Sequence, residues 1–521
     1  MKQKVLGFSF FYLISILGAA YAAEGPEVDK KPVMTLREAL TRGIENNLDI
    51  QITRVDIPVS DEEVTFQDSV FDPVLDAGVF SSEEKTPINL STTPKDNLNI
   101  NERGIVTGIG KKSRFGLSSR LSLETYRLEE NTASSFLAPD YRDYLVLDLT
   151  QPLLRDFGEK INTTYLKVAQ NQRKQAEFGY LNRINQIVRS IETTYYDLAK
   201  ASRTLEFQIE SRELARTLLE GNQKKFQAGV VPVSEVQRAE TALASRDELV
   251  LLARQQVEII SDRLKDLLNI RGENPVSDKM IIPETIKIMN TDLPNMEQAL
   301  GRALTHRPEL KHQALEIENR DMTIAYYANQ TLPRLDLSAT LGINGLSGEK
   351  RNPLSPDSQY QGDYDDAFSS MTDGDGYEWK LGLTASYPWG NRAARSRRRQ
   401  AEEEKGRAVY QYKRTEGVCE TEVKNAWVTA SRSLARVDVA ERFESLAAIT
   451  LDQEMKRLGQ GLSDTFRILQ YQDDLIDAKI RKTTAIIDFN KGISDLYYSM
   501  GDILDHHHMK VRLPGQGDLG E

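Results

Sequence analysis

Residues 35–47, TLREALTRGIENN, return with changes as residues 295–307, NMEQALGRALTHR. The correspondence runs well past these thirteen residues. Leu36, Ala39, Leu40, Pro73, Leu75 and Asp76 recur as Met296, Ala299, Leu300, Pro333, Leu335 and Asp336, always at one offset (296 − 36 = 260; 336 − 76 = 260). A duplication of this kind reports architecture. Each copy opens on a short amphipathic segment, passes through a second helical stretch to a proline, turns strand-like, and enters a very long helical hairpin.

The first segment has apolar residues at helical spacing behind Thr35, a natural N-cap, and a second helix is expected to about Ser69. The period then changes from helical to alternating. Phe115, Leu117, Leu121 and Leu123 fall on one face of an alternating run, and Arg114, Ser118, Arg120, Ser122 and Glu124 on the other. Leu145, Leu147 and Leu149, then Leu335, Leu337 and Leu341, then Trp379, Leu381 and Leu383 alternate in the same way. Strands with one apolar and one polar face are what an outer-membrane β-barrel requires. A half-buried sheet in a soluble domain produces the same pattern, and alternation alone leaves both open. Between strands, residues 345–379, rich in Ser, Gly, Pro and Asp, predict a long exposed loop whose acids match no calcium-loop spacing.

After each strand set comes a helix of unusual length. Ile184, Ile187, Ile191, Tyr195, Leu198, Leu205 and Ile209 follow three-four spacing, and no proline occurs between residues 162 and 225. Some 60 residues at ~1.5 Å each make a rod of ~90 Å. A second rod is expected from about 393 to 458, through Val423, Trp427, Ala430, Leu434 and Val437. Each ends near a glycine, Gly229 or Gly461, and returns as another helix. A two-helix rod cannot bury all its apolar surface, so these hairpins need partners.

Composition agrees with long helices carrying narrow apolar seams. Of 521 residues, 39% are hydrophobic and 28% charged, and mean hydropathy is −0.48. The net charge of −11 argues against a nucleic-acid partner. Lys2 and Lys4, an apolar run to Gly18, and the small residues around Ala20 and Ala22 form the layout of a secretory signal peptide, residues 1–22. No later stretch is apolar enough to cross a bilayer as a helix. Cys419 is the only cysteine, which excludes an intrachain disulfide and a cysteine metal cluster.

Nothing in the sequence supports catalysis, a cofactor or a metal. Residues 108–113, GIGKKS, lack the first glycine of a phosphate loop and predict a hairpin turn instead. His506, His507 and His508 fall in a polar tail and predict a disordered surface run. Arg392, Arg395, Arg397, Arg398 and Arg399 precede Glu402, Glu403 and Glu404. Intrahelical ion pairs are the plain explanation and contact with anionic outer-membrane lipid the functional one.

The repeated segments, the strand-to-helix junctions LTQPLLRDFG and ASYPWGNRAARSR, and the hairpin turns KKFQAGVVPVSEVQRAETALASRDELVLLARQQ and KRLGQGLSDTFRILQYQDDLIDAKI resemble the TolC family of outer-membrane efflux proteins. The resemblance covers nearly all of the chain after the signal peptide. It implies an α+β membrane protein: a homotrimer whose protomers each give four strands to a twelve-stranded transmembrane β-barrel, continued by a long antiparallel α-helical coiled-coil barrel in the periplasm. The implied activity is that of a passive outer-membrane channel-tunnel in tripartite efflux or type I secretion, opened by a periplasmic adaptor and an inner-membrane transporter. The other reading is a periplasmic coiled-coil scaffold without channel activity.

By the same resemblance, Gly229, Val230, Val231, Pro232, Gly461, Leu462 and Ser463 are adaptor-docking tips. Glu235, Leu458, Arg467 and Gln470 are gate candidates, Glu235 matching a latch acid of the best-known member. Leu458 and Ser463 replace that acid's tyrosine and basic partners, and Arg467 and Gln470 replace two aperture aspartates, so the gate chemistry differs.

The chain then divides as follows. The first repeat, 23–270, holds strands at about 71–83 and 143–151, an extra hairpin at about 102–126 and a helical hairpin at about 162–269. The second, 271–501, holds strands at about 333–345 and 378–388 and a helical hairpin at about 391–500. A polar tail, 502–521, follows. The extra hairpin has no counterpart in the second repeat, so it either adds strands to the barrel or packs elsewhere.

Overall fold

Thr35 begins the first helix through a reciprocal cap. Its hydroxyl accepts from Glu38 N at 3.2 Å, and the Glu38 carboxylate accepts from Thr35 N at 2.9 Å. The chain is described here by a computed structural model covering residues 33–87, 97–131, 135–270, 280–286, 288, 292–353 and 356–511. The signal peptide and residues 512–521 of the tail lie outside these described residues.

In chain order the elements are β1 (Val33–Met34), α1 (Leu36–Asn46), α2 (Leu48–Asp68), β2 (Val74–Pro87), β3 (Asn97–Lys112), β4 (Ser118–Glu130) and β5 (Leu137–Pro152). A one-turn α3 (Glu159–Asn162) leads into α4 (Thr164–Gln227) and α5 (Val233–Leu267). The second half contains β6 (Ile282–Pro283), α6 (Met296–His306), α7 (Pro308–Gln330), β7 (Arg334–Lys350), α8 (Tyr364–Asp373) and β8 (Gly376–Ser386). It closes with α9 (Arg392–Gly459), α10 (Thr465–Met500) and α11 (Ile503–His506). Three pairs of elements start at the offset seen in the sequence: α1 and α6 (296 − 36 = 260), α2 and α7 (308 − 48 = 260), β2 and β7 (334 − 74 = 260).

Six strands form one antiparallel sheet in the order β2-β3-β4-β5-β7-β8, and β1 pairs with β6 separately, in parallel. The core lies among the helices. Ile184, Ile191 and Leu198 of α4 are fully buried against Leu40, Ile50, Ile57 and Leu264, each such side chain contributing about 1.5–3 kcal/mol of burial. Leu205 and Ile209, further toward the hairpin end, are only half-buried, as expected of a seam that thins along a rod. Helices α9 and α10 meet where a Cβ on Gly492 would stand 3.0 Å from Ala430 Cα, a close backbone approach only a glycine permits.

Four expectations need correction. Residues 108–112 belong to β3, and the reversal lies at Ser113 to Leu117, where Ser113 N donates to Leu117 O at 2.7 Å and Gly116 takes φ +97°. Phe115 and Leu117 are therefore turn residues, and the strand begins at Ser118. Gly104 and Gly108 stand in mid-strand because Phe80, Tyr126 and Arg120 cross over them, within 2.7–2.9 Å of where a Cβ would sit.

The long loop is not wholly a loop. β7 extends to Lys350, and α8 follows behind a capping box formed by Asp363 and Asp366. The described part of the tail is not a disordered histidine run either. His506 stacks on Tyr497 at 3.9 Å between ring centroids, and His507 Nε2 lies 3.1 Å from Glu192 Oε2.

Candidate functional site

Because strand side chains alternate, the register sorts the sheet into two faces. Leu75, Ile109, Leu121, Leu147, Leu341 and Trp379 stand opposite one another in turn, one apolar residue from each of the six strands. Leu75 is 79% exposed and Trp379 69%. The neighbouring register row on the other face runs Asp76, Gly108, Ser122, Val146, Gly342 and Glu378. On that face Arg120 of β4 reaches over β3 to chelate Asp76 of β2, at 2.7 and 2.5 Å. One surface thus offers a band of aliphatic and aromatic side chains while its reverse carries charge.

The apolar band is bounded at the end far from the helices. Gly345 lies on the same face as Leu341 and Ile343, four and two residues on, and a Cβ there would stand 2.0 Å from Ala367 O of α8. Helix α8 therefore lies across the apolar face beyond Ile343, burying Ala367 and Met371 and packing the Tyr364 ring, tilted, against Tyr141 with centroids 4.2 Å apart. At the opposite end, the β3–β4 turn is fastened to the strand-to-helix junctions. Gly158 N donates to Phe115 O at 3.1 Å, and Arg114 pairs with Asp68 at 2.8 Å.

The two helical hairpins turn by the same device. At the first tip Gly229 N donates to Phe226 O and Val230 N to Lys225 O, both at 2.9 Å; at the second Gly461 N donates to Leu458 O at 3.2 Å and Leu462 N to Arg457 O at 2.9 Å. Each is a Schellman closure around a glycine at φ +74°. Val230 and Leu462 then point outward, 71% and 62% exposed. Val231 is half-buried and Pro232, exposed, precedes α5, whereas Asp464 caps α10 through Arg467 N at 2.9 Å.

The gate candidates are not joined to one another. The Glu235 carboxylate is held by Arg238 of its own helix at 2.9 Å, and Arg467 pairs with Asp464 at 3.7 Å. Gln470 lines, with Arg238, a groove of about 710 Å³ between α5 and α10. Leu458 supplies only its carbonyl to the turn. Ser463 donates to Glu454 Oε1 at 2.6 Å, tying the turn to a buried acid that the sequence reading passed over.

Two other polar residues, also missed, connect the hairpins. Asn222 of α4 donates to Thr465 Oγ1 of α10 at 3.0 Å and to Glu235 O at 3.2 Å. Arg246 of α5, buried, donates to Ser211 O (3.1 Å) of α4 and to Gln472 Oε1 (2.9 Å), Asp473 Oδ1 (2.8 Å) and Leu469 O (3.5 Å) of α10. A buried guanidinium needs this many acceptors, and here they come from both hairpins.

Higher in the helical body, Arg307 is buried between Glu309 (3.0 Å) and Glu422 (2.5 Å). Burial pulls its pKa down, but hydrogen bonds and charge from the two carboxylates more than offset this and hold it above the ordinary arginine value. Burial pushes the neighbouring Cys419 thiol up to about 11, so it is no nucleophile. In the arginine run, Arg398 pairs with Glu402 at 2.9 Å within α9, while Glu404 accepts from Arg320 of α7 at 2.8 Å. Among the described residues no group of three His, Cys, Asp or Glu is placed to hold a metal, and no helix is long and apolar enough to cross a membrane.

The model of the family described as outer membrane efflux protein matches residues 115–269 and 299–486. The outer membrane channel CmeC of Campylobacter jejuni superposes with a TM-score of 0.64 at 17% identity, over 90% of this chain and 86% of that one. The outer membrane protein VceC of Vibrio cholerae does so at 0.63 and 15%, over 89% and 96%, and the MtrE outer membrane channel of Neisseria gonorrhoeae at 0.61 and 13%, over 90% and 89%. At these identities the likeness is one of fold. No curated protein matches the chain in sequence.

Proposed function

The chain belongs to the TolC family of outer-membrane efflux proteins, and from that premise we propose that it is the outer-membrane duct of a tripartite export assembly. Membership makes it a transport protein of the outer membrane rather than an enzyme, with a large periplasmic helical part. In the proposed assembly three copies close their sheets into one barrel, and their helices continue it as a hollow periplasmic tunnel. The two halves of each chain act as two structural repeats, so three chains present six hairpins at the tunnel's end.

The observation that carries this reading is the row of apolar residues across all six strands with charged residues on the reverse. A lipid-facing band over a water-facing lumen has that form. A periplasmic scaffold without channel activity has no use for it, since exposed tryptophan and leucine in a row would drive aggregation. The inner face conducts without covalent chemistry, and an inner-membrane transporter supplies the energy. The tips at Gly229–Pro232 and Gly461–Ser463 meet a periplasmic adaptor, whose binding shifts the hairpins from a closed to an open population. Glu235, Leu458, Arg467 and Gln470 lie at or next to those tips, as aperture residues must.

Planar-bilayer recording of the detergent-purified assembly tests the duct. Discrete channel events from a trimer are expected; a water-soluble monomer with no conductance overturns the proposal.

A further inference from the structure

The six-stranded sheet has two outer edges that run in opposite directions. Every neighbouring pair is antiparallel, so an even number of strands leaves β2 leading away from the helices and β8 returning toward them. Among the described residues neither edge has a strand on its outer side. Inside a bilayer such an edge is not tolerated, because its backbone N–H and C=O groups find no water to bond there. Rotating a second copy about a barrel axis sets its β2 antiparallel to β8 of the first, with both apolar faces outward. A chain with an odd number of strands would bring those edges together in parallel.

We infer that the β8 edge of one copy docks on the β2 edge of the next, and that the β3–β4 hairpin stays in the wall, so that the barrel has eighteen strands (3 × 6) where the family resemblance implies twelve. The inference rests on the trimeric duct proposed above. Three observations hold the hairpin in the sheet. Ile109 and Leu121 fill the apolar row between Leu75 and Leu147, with no break in register from β2 to β5. Arg120 ties β4 to Asp76 of β2 on the opposite face. The turn itself is anchored below, through Arg114 to Asp68 and through the Phe115 carbonyl to Gly158.

The dimensions agree with this count. At a spacing of about 4.8 Å and a tilt of about 40°, each strand takes about 6 Å of perimeter, so eighteen make about 110 Å and twelve about 75 Å. Four helices of each chain join the sheet, α2 leading into β2, α4 following β5, α7 leading into β7 and α9 following β8, hence twelve in the trimer. Twelve helices at about 9–10 Å spacing also make about 110 Å. The larger barrel therefore stands on the helical ring without narrowing, and control of passage falls to the tips.

Cysteine trapping in the full chain and direct counting of strands test this. In a Cys419→Ala background, Ala77→Cys of β2 is combined in turn with a cysteine at each odd position of β8 from 377 to 385. At least one pair is expected to give a dimer and trimer ladder on oxidation in outer membranes. Thr107→Cys of β3 with the same β8 positions is expected to give none. Electron cryomicroscopy of the purified trimer is expected to show eighteen strands. A conducting trimer with twelve strands and the hairpin outside the wall overturns the inference while leaving the duct intact, as does efficient trapping from position 107. Absence of both trimer and conductance overturns the duct and the inference with it.

Discussion

Arg246 is the residue on which the relation between the two hairpins turns. Its guanidinium is buried, and its acceptors lie on α4 and α10, so the hairpins cannot separate without stranding it. Arg246→Ala is expected to destabilise the helical body by about 1–3 kcal/mol, the cost of leaving buried acceptors such as Gln472 unsatisfied, and to raise the open fraction in single-channel records. An unchanged open fraction removes Arg246 from the gate. Arg467, exposed near the second tip, tests a different property: Arg467→Asp is expected to move the reversal potential toward cation selectivity, and no movement places it outside the aperture.

Histidines supply a pH dependence at the same scale. Burial lowers the pKa of His312 on α7 and of His506 on α11; the charges of His507 and His508 lower His506 further. The folded form thus binds protons less readily than the unfolded one. Their contribution is complete above the ordinary histidine value of about 6.5 and is lost as pH falls through the lowered values. The thermal midpoint of the native chain should fall between pH 8 and pH 5 by more than that of a His312→Gln, His506→Gln variant. Equal falls contradict this assignment.

At the scale of elements, local chemistry and long-range packing part company. The helix start at Thr35 and the tip turns at Gly229 and Gly461 were readable because caps and left-handed glycines act within a few residues. Helix α8 was hidden: ten residues in a Ser-, Gly- and Asp-rich stretch carry too short a period, and its docking partner Gly345 precedes it by about twenty residues. Gly345→Val is expected to expel α8 from the sheet, since even a Cβ meets the Ala367 carbonyl. Amide exchange should rise across Tyr364–Asp373 with the β5–β7 ladder still protected. Protection of α8 equal to that of the native chain would refute the docking. The β3 glycines show the converse, a turn-like composition serving a strand because bulky neighbours fold over it.

For the whole molecule, the extra hairpin decides the width of the wall. Excising residues 92–133 joins the end of β2 to the start of β5 and sets Leu75 opposite Leu147, leaving four strands per chain. Polymer exclusion measured from the outer side should then fall, because two of every six strands are gone; an unchanged cutoff places the hairpin outside the wall.

What the sequence by itself determined is what neighbours in the chain decide: the duplicated order, helix caps, the long helical periods, two-faced strands and glycine turns. Only the tertiary structure decided that β3 and β4 lie between β2 and β5, that α8 covers the sheet, that Arg246 joins two hairpins and that His507 meets the buried Glu192. Those contacts join residues from about twenty to more than three hundred positions apart. Their partners are chosen by packing and by the need to satisfy buried polar groups, neither of which leaves a period in the sequence.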